Sequence, residues 1–232
     1  MFHKGLNLNP TDLLRHLHPE LIPSLDRLPE DRPVSLFTRH SLREQPANDF
    51  AGREVPLTAT GVALARAWGQ SLGRPITRLV SSPVERCRKT AEAMAEGAGV
   101  TLPLATDKLL VEPGSYVRDL TRAGPHFSQL GALAFACRHL REGIPGVLSP
   151  TRGARRILQR LYQQQPQPGE LAVYVTHDTI LAALIYCLLQ QQNLDQSDWP
   201  WMMEGAFLWF DEAEVHWIWR GRRGHRNWRQ LD

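Results

Sequence analysis

Four basic side chains in this sequence have the chemistry needed to bind and transfer an anionic group. Arg39 and His40 directly follow the apolar run VSLFT, His177 directly follows LAVYVT, and Arg86 lies shortly after TRLVSS. A guanidinium group offers forked donors to phosphate oxygens, and a neutral imidazole is available as a nucleophile near pH 7. These residue types together predict the chemistry of phosphoryl transfer.

The three apolar runs are typical of buried strands, and each precedes a helix-like segment. In open α/β sheets, ligands bind just beyond the carboxyl ends of the strands, where helix N-termini also present free amides. We therefore expect the four basic side chains to converge on one anion site. Arg86 falls at about the fourth position of its predicted helix, where the helix dipole disfavours a cation unless an anion is bound.

Helix start and stop signals support this alternation of strands and helices. The predicted starts are Thr58 for a helix ending near Gly73, the capping box Ser82-Pro83-Val84-Glu85 for a helix ending near Gly97, and Asp178 or Thr176 for the helix 179–191.

Strands alternating with helices predict an α/β fold, a three-layer α/β/α arrangement around a mostly parallel central sheet. The runs AFLWF and VHWIWR predict a C-terminal hairpin at its antiparallel edge. We expect one domain over residues 1–232, with a helical lead-in at 1–33, a cap or lid at about 105–150 and a basic tail at 219–232.

Composition excludes several classes of protein. Apolar residues make up 42% and charged residues 22% of the 232 residues, which argues against a disordered or fibrous chain. The net charge of +3 suits an anionic ligand without requiring nucleic acid. The three cysteines form no CxxC pair, which predicts a reduced protein. The sequence shows no signal peptide, and its longest apolar run, 180–189, is too short to span a membrane, so we expect a cytoplasmic protein.

Four motifs in order, TRHS, LTATG, SSPVERCRKTAE and VTHD, make residues 34–190 resemble the histidine phosphatase superfamily, and in particular its first branch. The resemblance implies a phosphoglycerate-mutase-like fold. It also implies a phosphomonoester hydrolase that acts through a phosphohistidine intermediate on a small phosphorylated metabolite. The family uses no metal or organic cofactor, which fits the absence of HExxH, CxxC and aspartate-rich motifs from this sequence.

Carried over by position, His40 resembles the family's phosphorylated nucleophile, and Arg39, Arg86 and His177 resemble its phosphate pocket. The general acid has two candidates. Glu112, in LLVEPGSY, resembles the glutamate of the first branch, whereas Asp178 resembles the acid of the histidine-aspartate pair in the other branch. We favour Glu112, because Asp178 has a competing task as a helix cap.

Two positions depart from the family pattern. Ser41 stands where the family usually has glycine, which limits the backbone torsions at that turn. The mutases carry a characteristic Ser and Trp-Asn where this chain has Leu42, Arg43 and Glu44, which favours hydrolysis over phosphoryl shuttling. Ser41 and Arg43 are therefore candidate substrate contacts.

Two other functions are open on the sequence alone. A protein phosphohistidine phosphatase would need a shallow site and no strong acid, but residues 112–150 are long enough to form a lid. A phosphate-binding or RNA-binding module would use the Trp/Arg-rich end, for which a solvated, partly disordered tail is the favoured interpretation. Trp199 and Trp201 are candidates for the mouth of the pocket. The sequence does not determine the oligomeric state.

Overall fold

The structure, a computed structural model, describes residues 9–45 and 55–231. The beginning of the predicted lead-in and most of the predicted loop 41–56 lie outside these ranges. Within them the chain forms helices α1 to α6 and strands β1 to β7. In chain order these are α1 Pro10–Leu14, β1 Val34–Arg39, α2 Ala59–Ser71, β2 Ile76–Ser81, α3 Glu85–Gly97, β3 Leu104–Thr106, α4 Leu120–Arg141, α5 Pro150–Gln163, β4 Leu171–Thr176, α6 Asp178–Leu189, β5 Gly205–Asp211, β6 Glu214–Trp219 and β7 Arg222–Asn227.

All seven strands form one sheet in the order β3-β2-β4-β1-β5-β6-β7. The first four are parallel to one another, and β5, β6 and β7 add an antiparallel edge. The predicted α/β class, with a parallel core and a C-terminal hairpin, is confirmed.

Helices cover both faces of the sheet, as strands that are buried throughout require. Successive residues of β1 point to opposite sides, so Leu36 packs with Trp68 and Met94 from α2 and α3, and Phe37 packs with Leu158 and other residues of α5 and α6. Helix α6 is buried from Ile180 to Leu188, which explains why its sequence is apolar all round.

The start of α2 is as predicted and fixes the segment that follows β1. The Thr58 hydroxyl accepts a hydrogen bond from the Gly61 amide at 2.8 Å. A Cβ on Gly61 would lie 2.1 Å from the Leu42 carbonyl oxygen, so only glycine allows this close approach.

The predicted cap consists of a 3₁₀ turn at Lys108–Leu110, a loop and the long helix α4. Helix α4 is broken at Gly131, whose φ of 71° and ψ of 172° are not helical. An isolated antiparallel bridge between Val117 and Val147 joins the two ends of this segment. The insertion is therefore closed at its base.

The expected partial disorder of the basic end is wrong, whereas Arg222, Arg223 and Arg229 are exposed to solvent as expected. Residues Arg222–Asn227 form β7, which pairs with β6 along its whole length. Beyond this strand Trp228 and Leu231 are buried, and the Trp228 ring lies 5.3 Å from Tyr162 and 5.8 Å from Phe210. Backbone pairing and these two apolar anchors hold the end of the described chain on the domain. In the ranges that the structure describes, no helix is long and apolar enough to cross a bilayer.

Candidate active site

The basic residues that were predicted to converge lie together at the carboxyl ends of the central strands β1 and β4. Arg39 is the last residue of β1 and is in register with Thr176, the last residue of β4, so His40 and His177 follow neighbouring strand ends. Arg86 approaches from the first turn of α3. All the parts of an anion site therefore meet where strand ends and a helix N-terminus coincide.

The start of α3 differs from the predicted capping box. The N-cap position is Val84, which has extended backbone torsions and no capping side chain, so Arg86 is the second residue of the helix rather than the fourth. The Ser82 hydroxyl accepts from the Val84 amide at 3.2 Å and lies 2.9 Å from Nε2 of His177. Ser82 is thus part of the site, and Arg86 lies closer to the positive end of the helix dipole than expected.

Arg86 bridges the two histidines. Its Nε donates to Nε2 of His40 at 3.0 Å, and its Nη2 lies 3.1 Å from Nδ1 of His177. The two imidazole rings are 5.6 Å apart between centroids and inclined by 70°. A phosphoryl group placed between the rings would meet all three side chains.

These contacts assign a proton to each imidazole. Nδ1 of His40 lies 2.8 Å from the Ser41 carbonyl oxygen, which can only accept, so His40 carries its proton there and leaves a lone pair on Nε2. His177 accepts from Arg86 at Nδ1 and can donate from Nε2 to Ser82. Burial, followed by the charges of Arg39 and Arg86, holds the pKa of His40 well below its usual value. His40 is therefore neutral, with an unprotonated Nε2.

Asp178 pairs with Arg39 and also bonds the first turn of α6, where its Oδ1 accepts from the Thr179 amide at 2.8 Å. Its Oδ2 lies 2.7 Å from Nη2 of Arg39, and the Pro200 carbonyl accepts from Nη1 of Arg39 at 2.5 Å. The N-cap position of α6 is His177, so the predicted cap at Asp178 or Thr176 is wrong. Burial alone would raise the pKa of Asp178, but the charge of Arg39 and the hydrogen bond from the Thr179 amide lower it.

Glu112 lies in a nest of donors at the base of the cap. Its carboxylate accepts from the amides of Gly114, Tyr116 and Val117 and from the Ser115 hydroxyl, at 2.7 to 3.0 Å. Burial raises the pKa of Glu112 despite these four hydrogen bonds, which oppose the shift.

The loop of Glu112 is attached to the site through Thr176. The Thr176 hydroxyl donates to the Leu110 carbonyl at 2.9 Å, which joins the end of β4 to the segment two residues before Glu112. Thr176 therefore ties the His177 segment to the Glu112 segment.

Ser41 joins the segment after β1 to helices α2 and α3. Its hydroxyl donates to the Gly61 carbonyl at 2.7 Å, and its amide donates to the Thr90 hydroxyl at 3.0 Å. Thr90 in turn donates to the Arg86 carbonyl at 2.7 Å. The Ser41 hydroxyl thus donates its proton toward α2, and its amide connects the loop after β1 to the helix of Arg86.

Arg43 is half-buried and has an unused donor. Among the described residues, its Nη1 atom is buried without a hydrogen-bond partner. Burial lowers the pKa of Arg86, and the positive charge of Arg43 lowers it further, so the two guanidinium groups interact. Arg43 therefore remains a candidate substrate contact.

Three contacts at the site had no signal in the sequence that we used. Ser82 resembled a helix cap, Thr90 resembled an ordinary helix residue, and Pro200 is distant in the chain. Cys87 is a fourth neighbour, with Sγ 3.6 Å from Nε2 of His177. Burial raises the pKa of Cys87 to about 12, so it is a neutral thiol.

A cavity of about 350 Å³ lies beside Glu112, under the cap. Neither Trp199 nor Trp201 lines it; Trp201 is instead exposed, with its ring 5.4 Å from that of His18. The lining residues are Glu112, Tyr116, Val117, Leu120, Ala123, Gly124, Phe127, Ser128, Phe135, Ala136, His139, Val147, Thr179, Ile180 and Ala183. Across the described ranges, no group of three or more His, Cys, Asp or Glu residues is arranged to hold a metal ion.

The sheet and the position of its basic cluster match the phosphoglycerate-mutase-like fold. The family model for the histidine phosphatase superfamily (branch 1) matches residues 36–217, so the chain belongs to this superfamily. The predicted family, its first branch and the enzyme class are confirmed, and the protein is a histidine phosphatase. A search among curated proteins gives no match.

Solved structures share the fold at low sequence identity. "Mycobacterial hydrolase 2" is 20% identical with a TM-score of 0.56, over 84% of this chain and 93% of that chain. Mycobacterial glucosyl-3-phosphoglycerate phosphatase is 18% identical with a TM-score of 0.52, over 82% and 99%. Phosphoglycerate mutase from Bacillus anthracis is 15% identical with a TM-score of 0.50, over 85% and 94%.

Proposed function

We propose that this phosphatase hydrolyses a small phosphomonoester through a phosphohistidine intermediate on His40. The observation that carries the proposal is the hydrogen bond from Nδ1 of His40 to the Ser41 carbonyl, because it leaves the Nε2 lone pair facing Arg86 and His177. A solved structure of mycobacterial glucosyl-3-phosphoglycerate phosphatase with inorganic phosphate supports a small phosphorylated substrate for the same fold.

In the first step, the incoming phosphoryl group takes over the donors of Arg86. Its oxygens accept from Arg86, Arg39 and His177, and Nε2 of His40 is released from its hydrogen bond. The Nε2 lone pair then forms a bond to phosphorus in line with the ester oxygen. The P–O bond breaks, its electron pair passes to the leaving oxygen, and Glu112 supplies a proton to that oxygen.

In the second step, water hydrolyses the phosphohistidine. Glu112, now a carboxylate, accepts a proton from water as the water oxygen bonds to phosphorus. The P–N bond breaks and its electron pair returns to Nε2 of His40. Inorganic phosphate leaves, and Arg86 can return to the imidazole.

We assign the general acid to Glu112 for two reasons. A residue that must be protonated before the reaction needs a raised pKa, and burial raises the pKa of Glu112, whereas the surroundings of Asp178 lower that of Asp178. Asp178 also holds Arg39 at 2.7 Å, a task that requires its negative charge. Asp178 is therefore a positioning residue for the phosphate-binding arginine.

Arg43 adds a further phosphate contact in this proposal. Its buried Nη1 has no partner among the described residues and its charge acts on Arg86, so an anion beside Arg86 would be within its influence. The negative charge of a phosphoryl group bound beside Arg86 stabilises the Arg43 guanidinium, and Arg43 in turn stabilises the phosphoryl group.

The direct test is turnover of p-nitrophenyl phosphate in EDTA by the wild type, His40→Ala and a control, His225→Ala, which changes an exposed side chain of β7. We expect phosphate release by the wild type and the control only. An acid-labile, base-stable phosphoryl group should appear on His40 after rapid quenching. Turnover that is undiminished in His40→Ala would refute the proposal.

The same variants separate this function from the two alternatives. A protein phosphohistidine phosphatase would retain activity on a phosphohistidine peptide in Glu112→Ala and would fail on alkyl phosphates even as wild type. A binding module would retain its affinity for phosphate or RNA in His40→Ala and show no turnover. We expect neither pattern.

A further inference from the structure

We propose that the cavity under the cap receives an apolar leaving group, so that the substrates are phosphomonoesters of hydrophobic alcohols or phenols. This inference rests on the proposed function and adds the class of substrate. Three observations support it: the cavity and the site share Glu112, the cavity wall is mostly apolar, and two large apolar side chains of the wall are exposed.

The cavity borders the site at Glu112 and at the first turn of α6. Glu112 lines the cavity, and so does Thr179, which follows His177 and Asp178 in the chain. A general acid must contact the leaving oxygen, and that oxygen is bonded to the first carbon of the alcohol. The organic part of the ester must therefore lie beside Glu112, where the cavity opens.

Beside Glu112, the wall of the cavity offers a leaving group only the hydroxyls of Tyr116, Ser128 and Thr179 and the ring of His139. Glu112 is its only Asp, Glu, Lys or Arg residue. His139 is kept neutral, because burial lowers its pKa, and its Nε2 is hydrogen-bonded to the Leu148 carbonyl at 2.8 Å. A sugar or glycerate entering here would exchange its water for few hydrogen bonds and would meet no Lys or Arg side chain, which costs free energy.

Large apolar side chains are exposed at the same place. Leu120 and Phe127 line the cavity and are 50% and 39% exposed. The rings of Phe127 and Phe135 meet edge to face at 5.3 Å between centroids. Contiguous exposed apolar surface of this kind usually marks a binding site.

The size of the cavity agrees with this use. About 350 Å³ falls at the lower end of the range typical of small-molecule pockets. The lining includes small residues, whose short side chains leave this volume open: Ala123, Gly124, Ala136 and Ala183. A linear alkyl chain or a small ring system would fit without displacing the cap.

The first experiment measures kcat/KM for n-alkyl phosphates from butyl to octyl. Leaving-group basicity is nearly constant along this series, so changes report burial of the chain. We expect an increase of about fourfold for each added CH₂ group until the cavity is filled. Glycerol phosphate, 3-phosphoglycerate and glucose 6-phosphate should be poorer substrates than hexyl phosphate. A flat series, or a preference for the polar esters, would overturn the inference.

Gly124→Leu tests the location. A Cβ at Gly124 meets no atom within 4 Å, so the variant can fold while its side chain narrows the cavity. The matched control is Gln129→Leu, which adds leucine to an exposed position of the same helix outside the cavity lining. We expect Gly124→Leu to remove the dependence on chain length and to leave p-nitrophenyl phosphate turnover detectable, and Gln129→Leu to retain that dependence. Retention of the dependence in Gly124→Leu would contradict the assignment.

Binding separates a failure of this inference from a failure of the proposed function. Calorimetry of butyl to octyl phosphonates, which cannot be hydrolysed, requires no catalysis. If no ester is turned over but affinity rises with chain length in the wild type and not in Gly124→Leu, the function is wrong and the apolar site stands. If esters are turned over and phosphonate affinity is independent of length, the apolar site is wrong.

Discussion

Nε of Arg86 lies 3.0 Å from Nε2 of His40, so the cation covers the lone pair that must attack phosphorus. The same side chain reaches Nδ1 of His177 at 3.1 Å. Without an anion, the site is therefore satisfied by its own groups. In the proposed mechanism, the substrate oxygens replace the two imidazole nitrogens as acceptors of Arg86, so Arg86 covers Nε2 of His40 before binding and binds phosphate afterwards.

Arg86→Ala should lower kcat/KM for p-nitrophenyl phosphate by about 100-fold or more, because two charge-assisted hydrogen bonds at roughly 1.5–3 kcal/mol each are lost. The control is Arg88→Ala, which removes an exposed arginine from the next part of the same helix. Steady-state kinetics measure both. An equal, small effect of the two substitutions would exclude a role for Arg86 in phosphate binding.

The pH dependence should differ between substrates according to their need for an acid. His40 must be neutral, and its lowered pKa keeps it so well into the acidic range. Glu112 must be protonated, and its raised pKa sets the limit above which that proton is lost. We expect kcat/KM for an alkyl phosphate to fall as the pH rises through the pKa of Glu112.

The p-nitrophenyl ester, whose leaving group needs little protonation, should fall less over the same range. Glu112→Gln should abolish the alkyl phosphate reaction and spare more of the p-nitrophenyl reaction. Parallel pH profiles for the two esters, or equal losses in the variant, would argue against Glu112 as the acid.

Asp178→Asn should raise KM and the inhibition constant of inorganic phosphate by about tenfold. The reason is that Arg39, whose side chain is only 9% exposed, loses the carboxylate that orients it, at a cost on the order of 1.4 kcal/mol in phosphate binding. Asp195→Asn, a change in an exposed loop, is the control. If kcat alone falls and phosphate inhibition is unchanged, Asp178 acts in proton transfer instead.

Ser82→Ala should lower kcat by roughly tenfold, because Nε2 of His177 loses its hydroxyl acceptor and keeps only the weaker contact with the Cys87 thiol, so the tautomer is less well fixed. Ser81→Ala is a matched control, since the neighbouring hydroxyl is equally buried but donates only to the Ser82 carbonyl. The ¹⁵N chemical shifts of His177 should change in Ser82→Ala and not in the control. Unchanged shifts would show that Ser82 does not set the tautomer.

Trp228→Ala should lower the free energy of unfolding by about 3–5 kcal/mol, as expected for a large buried aromatic side chain. Trp201→Ala, at a position that is 45% exposed, should cost less than about 1 kcal/mol. Urea titrations measure both. Equal losses would contradict the packing of the C-terminal end on α5.

The strands that carry the site were predictable because each is a short apolar run that stops at a polar residue. Thr58 was also predictable, since a threonine that caps a helix acts on an amide three residues away. The prediction of a capping box at Ser82 was wrong, because the Ser82 hydroxyl interacts with His177, which is distant in the sequence. Local sequence cannot reveal such a partner.

Two further features, strand β7 and the cavity, could not be predicted from the sequence because they depend on packing between distant segments. The sequence RRGHRN of β7 lacks the alternation of a half-buried strand, and Trp228 and Leu231 hold it from beyond its end. The cavity under the cap depends on how the two halves of α4, separated at Gly131, meet α6. Neither arrangement follows from the periodicity of a single segment.

The bridge between Val117 and Val147 has a consequence for the history and engineering of this enzyme. Because the two ends of the cap meet, the intervening residues can be exchanged as a cassette with little change in the entropy of closing the loop. His40, Arg86 and His177 lie outside it, on the sheet edge and α3. Replacing the residues between Val117 and Val147 can therefore change which leaving groups are accepted, while the residues at the phosphate site stay unchanged.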